Sequence, residues 1–170
     1  RNIVESYKRK LAAESGYRID RGAGLRIALC YPNTHAIGMA NLGLHTMYEL
    51  FNSISEVSCE RVFLPDTPEL KEYEKSRTPL LSLETQTPVR DFDVVAFSIS
   101  FETDYLNMAR MLQLSRIPVW SNDRNHFHPL VVMGGAASFL NPEPIAEFTD
   151  VIAVGEGEIL AYQLIDAILA

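Results

Sequence analysis

Four short stretches of the sequence combine glycine with small polar side chains, and each follows a predicted strand. They are residues 33–38 (NTHAIG), 98–102 (SISFE), 134–138 (GGAAS) and 155–158 (GEGE). Glycine lets the backbone approach a ligand closely, and hydroxyl and amide groups supply hydrogen bonds. His35 adds an imidazole, which can ligate a transition metal when it is neutral. These stretches predict a cofactor-binding site, and we assign no catalytic residue.

The side chains expected to line this site come from all four stretches. They are Asn33, Thr34, His35, Gly38, Ser98, Ser100, Gly134, Gly135, Ala136, Ser138, Gly155 and Glu156. Glu156 precedes a predicted helix, where the helix dipole also favours a carboxylate, so a purely structural role remains open. A further pair, His126 and His128, lies in a polar loop without a third ligand nearby and predicts no metal site.

Apolar runs in front of these stretches predict the strands that position them. Five strands are expected at residues 25–30, 57–64, 93–99, 130–133 and 151–154. Helical spacing lies between them, for example at Leu44, Met47, Tyr48 and Phe51. The alternation predicts an α/β fold, a flavodoxin-like (Rossmann-like) doubly wound sheet of five parallel strands with flanking helices. In such a sheet the loops after the strands meet at the carboxyl edge, where ligands bind.

Two segments stand outside this alternation. Val4, Tyr7 and Leu11 predict an amphipathic helix closed by Gly16. We therefore divide the chain into an N-terminal helical leader, residues 1–22, and an α/β domain, residues 23–170. Residues 66–88 are mostly polar, with a short helix expected at 70–75 and an apolar patch at 80–83. They predict a surface insertion after the second strand.

Composition narrows the class of protein. The 170 residues are 47% hydrophobic, but no apolar run reaches the roughly 20 residues of a membrane span. The net charge is −7, and an acidic body without a recognisable binding module argues against a nucleic-acid partner. Cys30 and Cys59 lie in predicted strands, which favours buried free thiols and a cytoplasmic location. Because the chain does not begin with Met, we expect it to be part of a longer protein.

Other ligands of this fold class fit the sequence less well. Neither GxGxxG after the first strand nor GxxxxGK[ST] anywhere is present. A flavin mononucleotide site usually has a Ser/Thr-rich loop after the first strand, and residues 33–38 offer only Thr34. A phospho-acceptor receiver domain needs acidic residues at the ends of its early strands, whereas the first strand here runs into Cys-Tyr-Pro-Asn. A flavin-binding protein is therefore a less favoured alternative.

The loop of residues 33–38 resembles the Asp-x-His-x-x-Gly loop of cobalamin-binding domains. That family also has a serine-bearing loop after its third strand, as in FSIS, and a Gly-Gly-Ala turn after its fourth, as in GGAAS. The longer segments YPNTHAIGMANLG, CERVFLP, FDVVAFSISFETDYLN, GGAASFLNPEP and D-x4-GEGE resemble the N-terminal cobalamin-binding domain of radical S-adenosylmethionine (radical SAM) proteins. The likeness spans residues 23 to about 159.

This resemblance implies that the domain holds a corrinoid, cobalamin, over the carboxyl edge of the sheet. The nucleotide tail would lie between the loops after the first and fourth strands. It also implies a downstream domain of the same chain that carries an iron–sulfur cluster on a Cys-x3-Cys-x2-Cys motif and cleaves S-adenosylmethionine. That motif is absent from this sequence. The parent protein is thus expected to be a radical SAM enzyme, with this segment supplying binding and orientation.

By the same resemblance, His35 is the candidate lower ligand of cobalt. In the family loop an Asp orients the ligand histidine, and here Asn33 takes its place. An amide can hold an imidazole by a hydrogen bond, but it does not raise the basicity of the ring as a carboxylate does. We therefore predict a corrinoid bound without His35 on cobalt.

A degenerate domain is the main alternative. It would keep the fold, bind no corrinoid and serve as a scaffold for the radical SAM domain. A corrinoid needs an open cleft, so large side chains such as Tyr31, Phe101 and Phe139 folding inward would favour this alternative.

Overall fold

A computed structural model describes residues 2–19, 22 and 24–170. The strands are β1 (Leu25–Tyr31), β2 (Val57–Phe63), β3 (Val94–Ser98), β4 (Leu130–Gly134) and β5 (Val151–Ile152). The α-helices are α1 (Asn2–Ala12), α2 (His35–Gly38), α3 (Leu42–Ser53), α4 (Thr67–Ser76), α5 (Tyr105–Ser115), α6 (Ala136–Leu140) and α7 (Gly157–Leu169). Short 3-10 helices cover Val89–Asp91, Glu102–Asp104, Ser121–Asp123 and Glu143–Phe148. The predicted boundary between leader and domain falls partly outside the described residues, since Ala23 is not among them.

The five strands form one parallel sheet in the order β2-β1-β3-β4-β5. This confirms the predicted fold class, an α/β doubly wound sheet consistent with the flavodoxin-like topology. Every residue of β2 is buried, and six of the seven residues of β1 are buried. Such strands are covered on both faces, which is why their sequences read as continuous runs.

Helix boundaries follow local signals. The side chain of Asn41 accepts a hydrogen bond from the Leu44 N–H at 2.9 Å, so Asn41 is the N-cap of α3. Leu44, Tyr48 and Phe51 are buried on its inner face. The segment after β4 differs from the prediction, because GGAAS turns at once into α6. The 3-10 helix Glu143–Phe148 then leads toward β5.

The leader helix α1 is present and buries Ile3, Tyr7 and Leu11. It ends at Ala12, so Gly16, at φ +85°, lies in the connector and does not cap the helix. The leader packs on α4, where the Tyr73 hydroxyl lies 3.0 Å from that of Tyr7.

The segment after β2 corrects one part of the prediction. Its helix, α4, has a mostly exposed surface, but residues 80–84 are buried rather than on the surface. The Leu83 N–H donates to the Arg61 carbonyl of β2 at 2.8 Å, and Leu81 forms an antiparallel bridge with Pro88. Because β2 is an edge strand with unpaired backbone groups, covering it satisfies those groups and blocks edge-to-edge association.

None of the helices within the described part of the chain is both long enough and apolar enough to cross a bilayer.

Candidate cofactor-binding site

The four predicted loop stretches meet at the carboxyl edge of the sheet. The connection after β1 leads to β2 on one side, and the connection after β3 leads to β4 on the other. The edge between β1 and β3 is therefore the switch point at which open α/β sheets bind ligands.

An apolar cavity of about 400 Å³ opens next to this edge, between the sheet and the helices α3 and α7. Its floor consists of small or apolar residues of β1, β3 and β4 and the segment after β5, among them Leu29, Ala96, Ser98, Val132, Gly134 and Ala153. Its walls come from the two helices and include Leu42, Thr46, Met47, Leu160 and Leu164. The volume lies within the range of small-molecule and cofactor sites, which is roughly 300–1,000 Å³.

Small side chains keep the cavity open. Ser98 pairs with Gly134 in neighbouring strands, and Ala153 follows β5 directly. Residues two apart in a strand face the same side of a sheet, so Ala96 with Ser98, and Val132 with Gly134, form one stepped floor. Leucine or isoleucine at these positions would fill the space that α3 and α7 leave above them.

Large apolar side chains that are mostly exposed lie around the mouth of the cavity. Leu42 is 80% exposed, Phe101 64% and Phe139 59%. Leu42 and Phe139 line the cavity at its mouth, whereas Phe101 is not among the lining residues. Tyr31 is buried, with its hydroxyl 3.3 Å from the Asn41 amide nitrogen. Of the three side chains whose inward folding would favour a scaffold, Tyr31 is buried, whereas Phe101 and Phe139 are mostly exposed.

Five of the predicted site residues line the cavity: Ser98, Gly134, Gly135, Ala136 and Gly155. Asn33, Thr34 and Ser100 lie instead on the polar rim at the switch point. The Asn33 side-chain oxygen accepts from the Thr34 N–H at 2.9 Å, and the Ser100 hydroxyl accepts from the Asn41 amide at 3.2 Å.

Two further predicted residues stand beside the cavity. The Ser138 hydroxyl lies 2.7 Å from the Gly135 carbonyl and 3.0 Å from that of Ala153, so it ties the turn after β4 to the segment after β5. Glu156 is exposed and precedes α7 without a side-chain cap hydrogen bond.

Two glycines are required by packing. Gly135 has φ +103°, and a Cβ there would lie 2.6 Å from the Ile99 carbonyl oxygen. A Cβ at Gly38 would lie 2.4 Å from the ring of Phe63. Any side chain at Gly135 would therefore disturb the contact between the loops after β3 and β4, whether or not a ligand is bound.

His35 faces away from the cavity. It lines a separate shallow groove against the leader, and its Nε2 atom lies 2.7 Å from Glu14 Oε1. Its ring also contacts Phe63 edge-on at 5.1 Å between centroids. Because an ionised carboxylate only accepts hydrogen bonds, Nε2 must carry the proton. Glu14 of the leader thus holds the imidazole in the groove, away from the cavity.

The remaining candidate ligands are engaged or dispersed. His128 Nδ1 accepts from the Asn125 N–H at 3.1 Å. Both cysteines are buried and free, and burial raises the pKa of the Cys30 thiol well above its ordinary value. Over the residues that the structure describes, no three His, Cys, Asp or Glu side chains are grouped as a metal site.

Sequence reasoning missed the walls of the cavity. The cavity walls include Thr46 and Met47 of α3 and Leu160 and Leu164 of α7, none of which was among the predicted site residues. The small residues Ala96 and Ala153 on the strands were the available signal, because a sheet floor of small side chains leaves room under its helices.

Comparison with known proteins identifies the family of the chain. Residues 43–170 match the family described as radical SAM proteins, N-terminal. An uncharacterised protein of Methanocaldococcus jannaschii is 27% identical over 132 residues, which cover 78% of this chain and 24% of the relative. The chain thus spans about a quarter of the length of that curated relative. Since the family match covers most of its length, the chain belongs to the family of N-terminal regions of radical SAM proteins.

Proposed function

We propose that this chain is a corrinoid-binding module of a radical SAM enzyme. The observation that carries the proposal is the apolar cavity at the carboxyl edge, which has a floor of small residues and an open mouth. A nucleotide tail with a flat apolar heterocycle needs such a slot, and the macrocycle needs an open surface beside it. The sequence resemblance to cobalamin-binding domains supports the same ligand.

The residues present fit a corrinoid. Ser98, Gly134, Gly135, Ala136 and Gly155 would hold the tail, because they combine close backbone approach with little side-chain bulk. Asn33, Thr34 and Ser100 would face the macrocycle at the polar rim, and exposed apolar side chains such as Phe101 would contact its face. When bound, the corrinoid supplies cobalt-centred methyl-transfer or radical chemistry, and the chain supplies binding and orientation.

We further propose that the remainder of the parent protein carries the radical SAM domain. The relative in Methanocaldococcus jannaschii is about four times as long as the segment aligned with this chain. Its additional length leaves room for a domain with an iron–sulfur cluster and S-adenosylmethionine. The free thiols of Cys30 and Cys59 fit a reducing cytoplasm.

The proposal is tested by adding hydroxocobalamin to the purified chain, removing the excess by gel filtration and recording the visible spectrum. We expect about one equivalent to be retained. A folded protein that emerges colourless would contradict the proposal and favour the scaffold alternative. A yellow protein as purified would favour the flavin alternative.

The position of His35 gives a separate prediction. His35→Ala should leave the visible spectrum of bound hydroxocobalamin unchanged, because Glu14 holds Nε2 away from the cavity. Lowering the pH should have no spectral effect of the kind that protonation of a ligating imidazole produces. His45→Ala is the matched control, since the Nε2 atom of His45 contacts the Met39 carbonyl. An imidazole-ligated spectrum that disappears only in His35→Ala would prove this prediction wrong.

A further inference from the structure

A buried carboxylate lies at the switch point without a full set of partners. Asp104 is the last residue of the 3-10 turn after β3 and is 4% exposed. In the chain it directly follows three exposed residues, 101–103, at the carboxyl edge of the sheet. No ion pair joins it to a cation among the residues that the structure describes.

Two amides hold one oxygen of this carboxylate. Asp104 Oδ1 accepts from Asn33 Nδ2 at 3.4 Å and from Asn107 Nδ2 at 3.5 Å, both longer than usual. Asn33 is fixed in this orientation because its own oxygen accepts from the Thr34 N–H. Asn107 is fixed because its nitrogen also donates to the Pro32 carbonyl at 3.0 Å.

The other oxygen, Asp104 Oδ2, is buried and has no hydrogen-bond partner within the described chain. An unsatisfied buried carboxylate oxygen disfavours the folded state, because its hydration is lost without replacement. Burial also raises the pKa of Asp104, while the two amides oppose this shift. Buried polar groups are nearly always satisfied, so an exception beside a ligand site calls for a functional reason.

We propose that Asp104 Oδ2 accepts a hydrogen bond from a primary amide on the rim of the corrinoid. This inference rests on the proposed function. A carboxylate requires a donor, which excludes anionic ligand groups. Its neighbours Asn33 and Asn107 use their amide groups on protein partners. A macrocycle bordered by primary amides supplies uncharged N–H donors of the kind that Oδ2 requires.

Asp104→Asn tests the proposal because its orientation is determined. Asn33 and Asn107 both present N–H groups, so the new amide must turn its oxygen toward them. The NH₂ group of the new asparagine then takes the place of Asp104 Oδ2, so a hydrogen-bond donor replaces a hydrogen-bond acceptor. Glu102→Gln is the matched control, since Glu102 is an exposed carboxylate on the same turn.

Without ligand, Asp104→Asn should raise the midpoint of thermal unfolding by about 2–4 °C, because an unpaired buried charge is removed. In a visible-spectrum titration it should weaken hydroxocobalamin binding about tenfold. Glu102→Gln should change neither quantity.

The outcomes separate this inference from the proposed function. If the wild-type chain and Asp104→Asn bind hydroxocobalamin with equal affinity, the inference is overturned and the proposed function stands. A variant that is less stable than wild type would also overturn it, because Asp104 would then serve the fold. If the wild-type chain retains no hydroxocobalamin, the proposed function fails and the assignment of Asp104 falls with it.

Discussion

Gly134→Val is expected to weaken hydroxocobalamin binding about tenfold or more while leaving the fold intact. Gly134 ends β4 and lies on the floor of the cavity. A Cβ there would meet nothing nearer than the Ala153 Cβ at 3.7 Å, which is an ordinary contact. Valine suits a strand, but its methyl groups would occupy the space assigned to the nucleotide tail. Overpacking a fitted site costs about 1–3 kcal/mol.

Two other glycines make this experiment specific. Gly24→Val is the matched control, because Gly24 precedes β1 at the opposite edge of the sheet and has only the Glu56 carbonyl, at 3.9 Å, near its Cβ position. It should bind hydroxocobalamin as wild type does. Gly135→Val is expected to destabilise the fold itself, given its positive φ and the 2.6 Å approach to Ile99. If Gly134→Val binds hydroxocobalamin as tightly as wild type, the assignment of the nucleotide tail to this cavity is wrong.

Arg61→Met is expected to lower the free energy of unfolding by about 3–5 kcal/mol at pH 8, the usual cost of removing one partner of a buried ion pair. Arg61 Nε lies 2.6 Å from Glu84 Oε1, and both side chains are almost fully buried. Glu14 Oε2 lies 2.8 Å from Arg61 Nη2, within ion-pair distance but without hydrogen-bond alignment. Methionine would leave the Glu84 and Glu14 carboxylates without the guanidinium that both contact.

The destabilisation should depend on pH. Burial raises the pKa of Glu84 to about 7, although Arg61 opposes this shift. In the unfolded chain the pKa is about 4.3. The protonated form therefore favours the folded state, and this contribution is lost as the pH rises through 7. Without Arg61 the ionised form of Glu84 has no partner. Arg61→Met should therefore lower the free energy of unfolding by more at pH 8 than at pH 5.

Urea unfolding followed by circular dichroism at both pH values measures these effects. Arg90→Met is the control, because Arg90 pairs with Asp91 on the surface and should matter by less than about 1 kcal/mol. The role assigned to Arg61 and its two carboxylates would be contradicted by either of two results. One is that Arg61→Met lowers the free energy of unfolding by as little as Arg90→Met does. The other is that it lowers this free energy equally at the two pH values.

The fold could be predicted because its signals are local. Apolar runs ended by proline or glycine mark buried strands, and Asn41 marks the start of α3. The burial of residues 80–84 could not be predicted, since it depends on the open edge of β2. Polar side chains in that segment, such as Glu84, indicate surface unless their partner Arg61 is known.

The candidate site was predictable only in part, because some of its features depend on contacts between residues that are distant in the sequence. Loop residues after parallel strands converge by topology, so Gly134 and Ser98 could be expected at one edge. The orientation of His35 could not be predicted, because it depends on Glu14, which follows the leader helix and is 21 residues away in the chain. The unsatisfied oxygen of Asp104 depends on how Asn33 and Asn107 are oriented, which no sequence pattern encodes.

The most direct test of corrinoid binding through the tail compares hydroxocobalamin with dicyanocobinamide, which has the macrocycle without the nucleotide tail. Dissociation constants for both are measured by visible titration of the wild-type chain and of Gly134→Val. We expect wild type to bind hydroxocobalamin at least about tenfold more tightly than dicyanocobinamide, and Gly134→Val to lose this preference. Equal affinities in wild type, or no binding of either compound, would contradict the assignment of the cavity to the nucleotide tail.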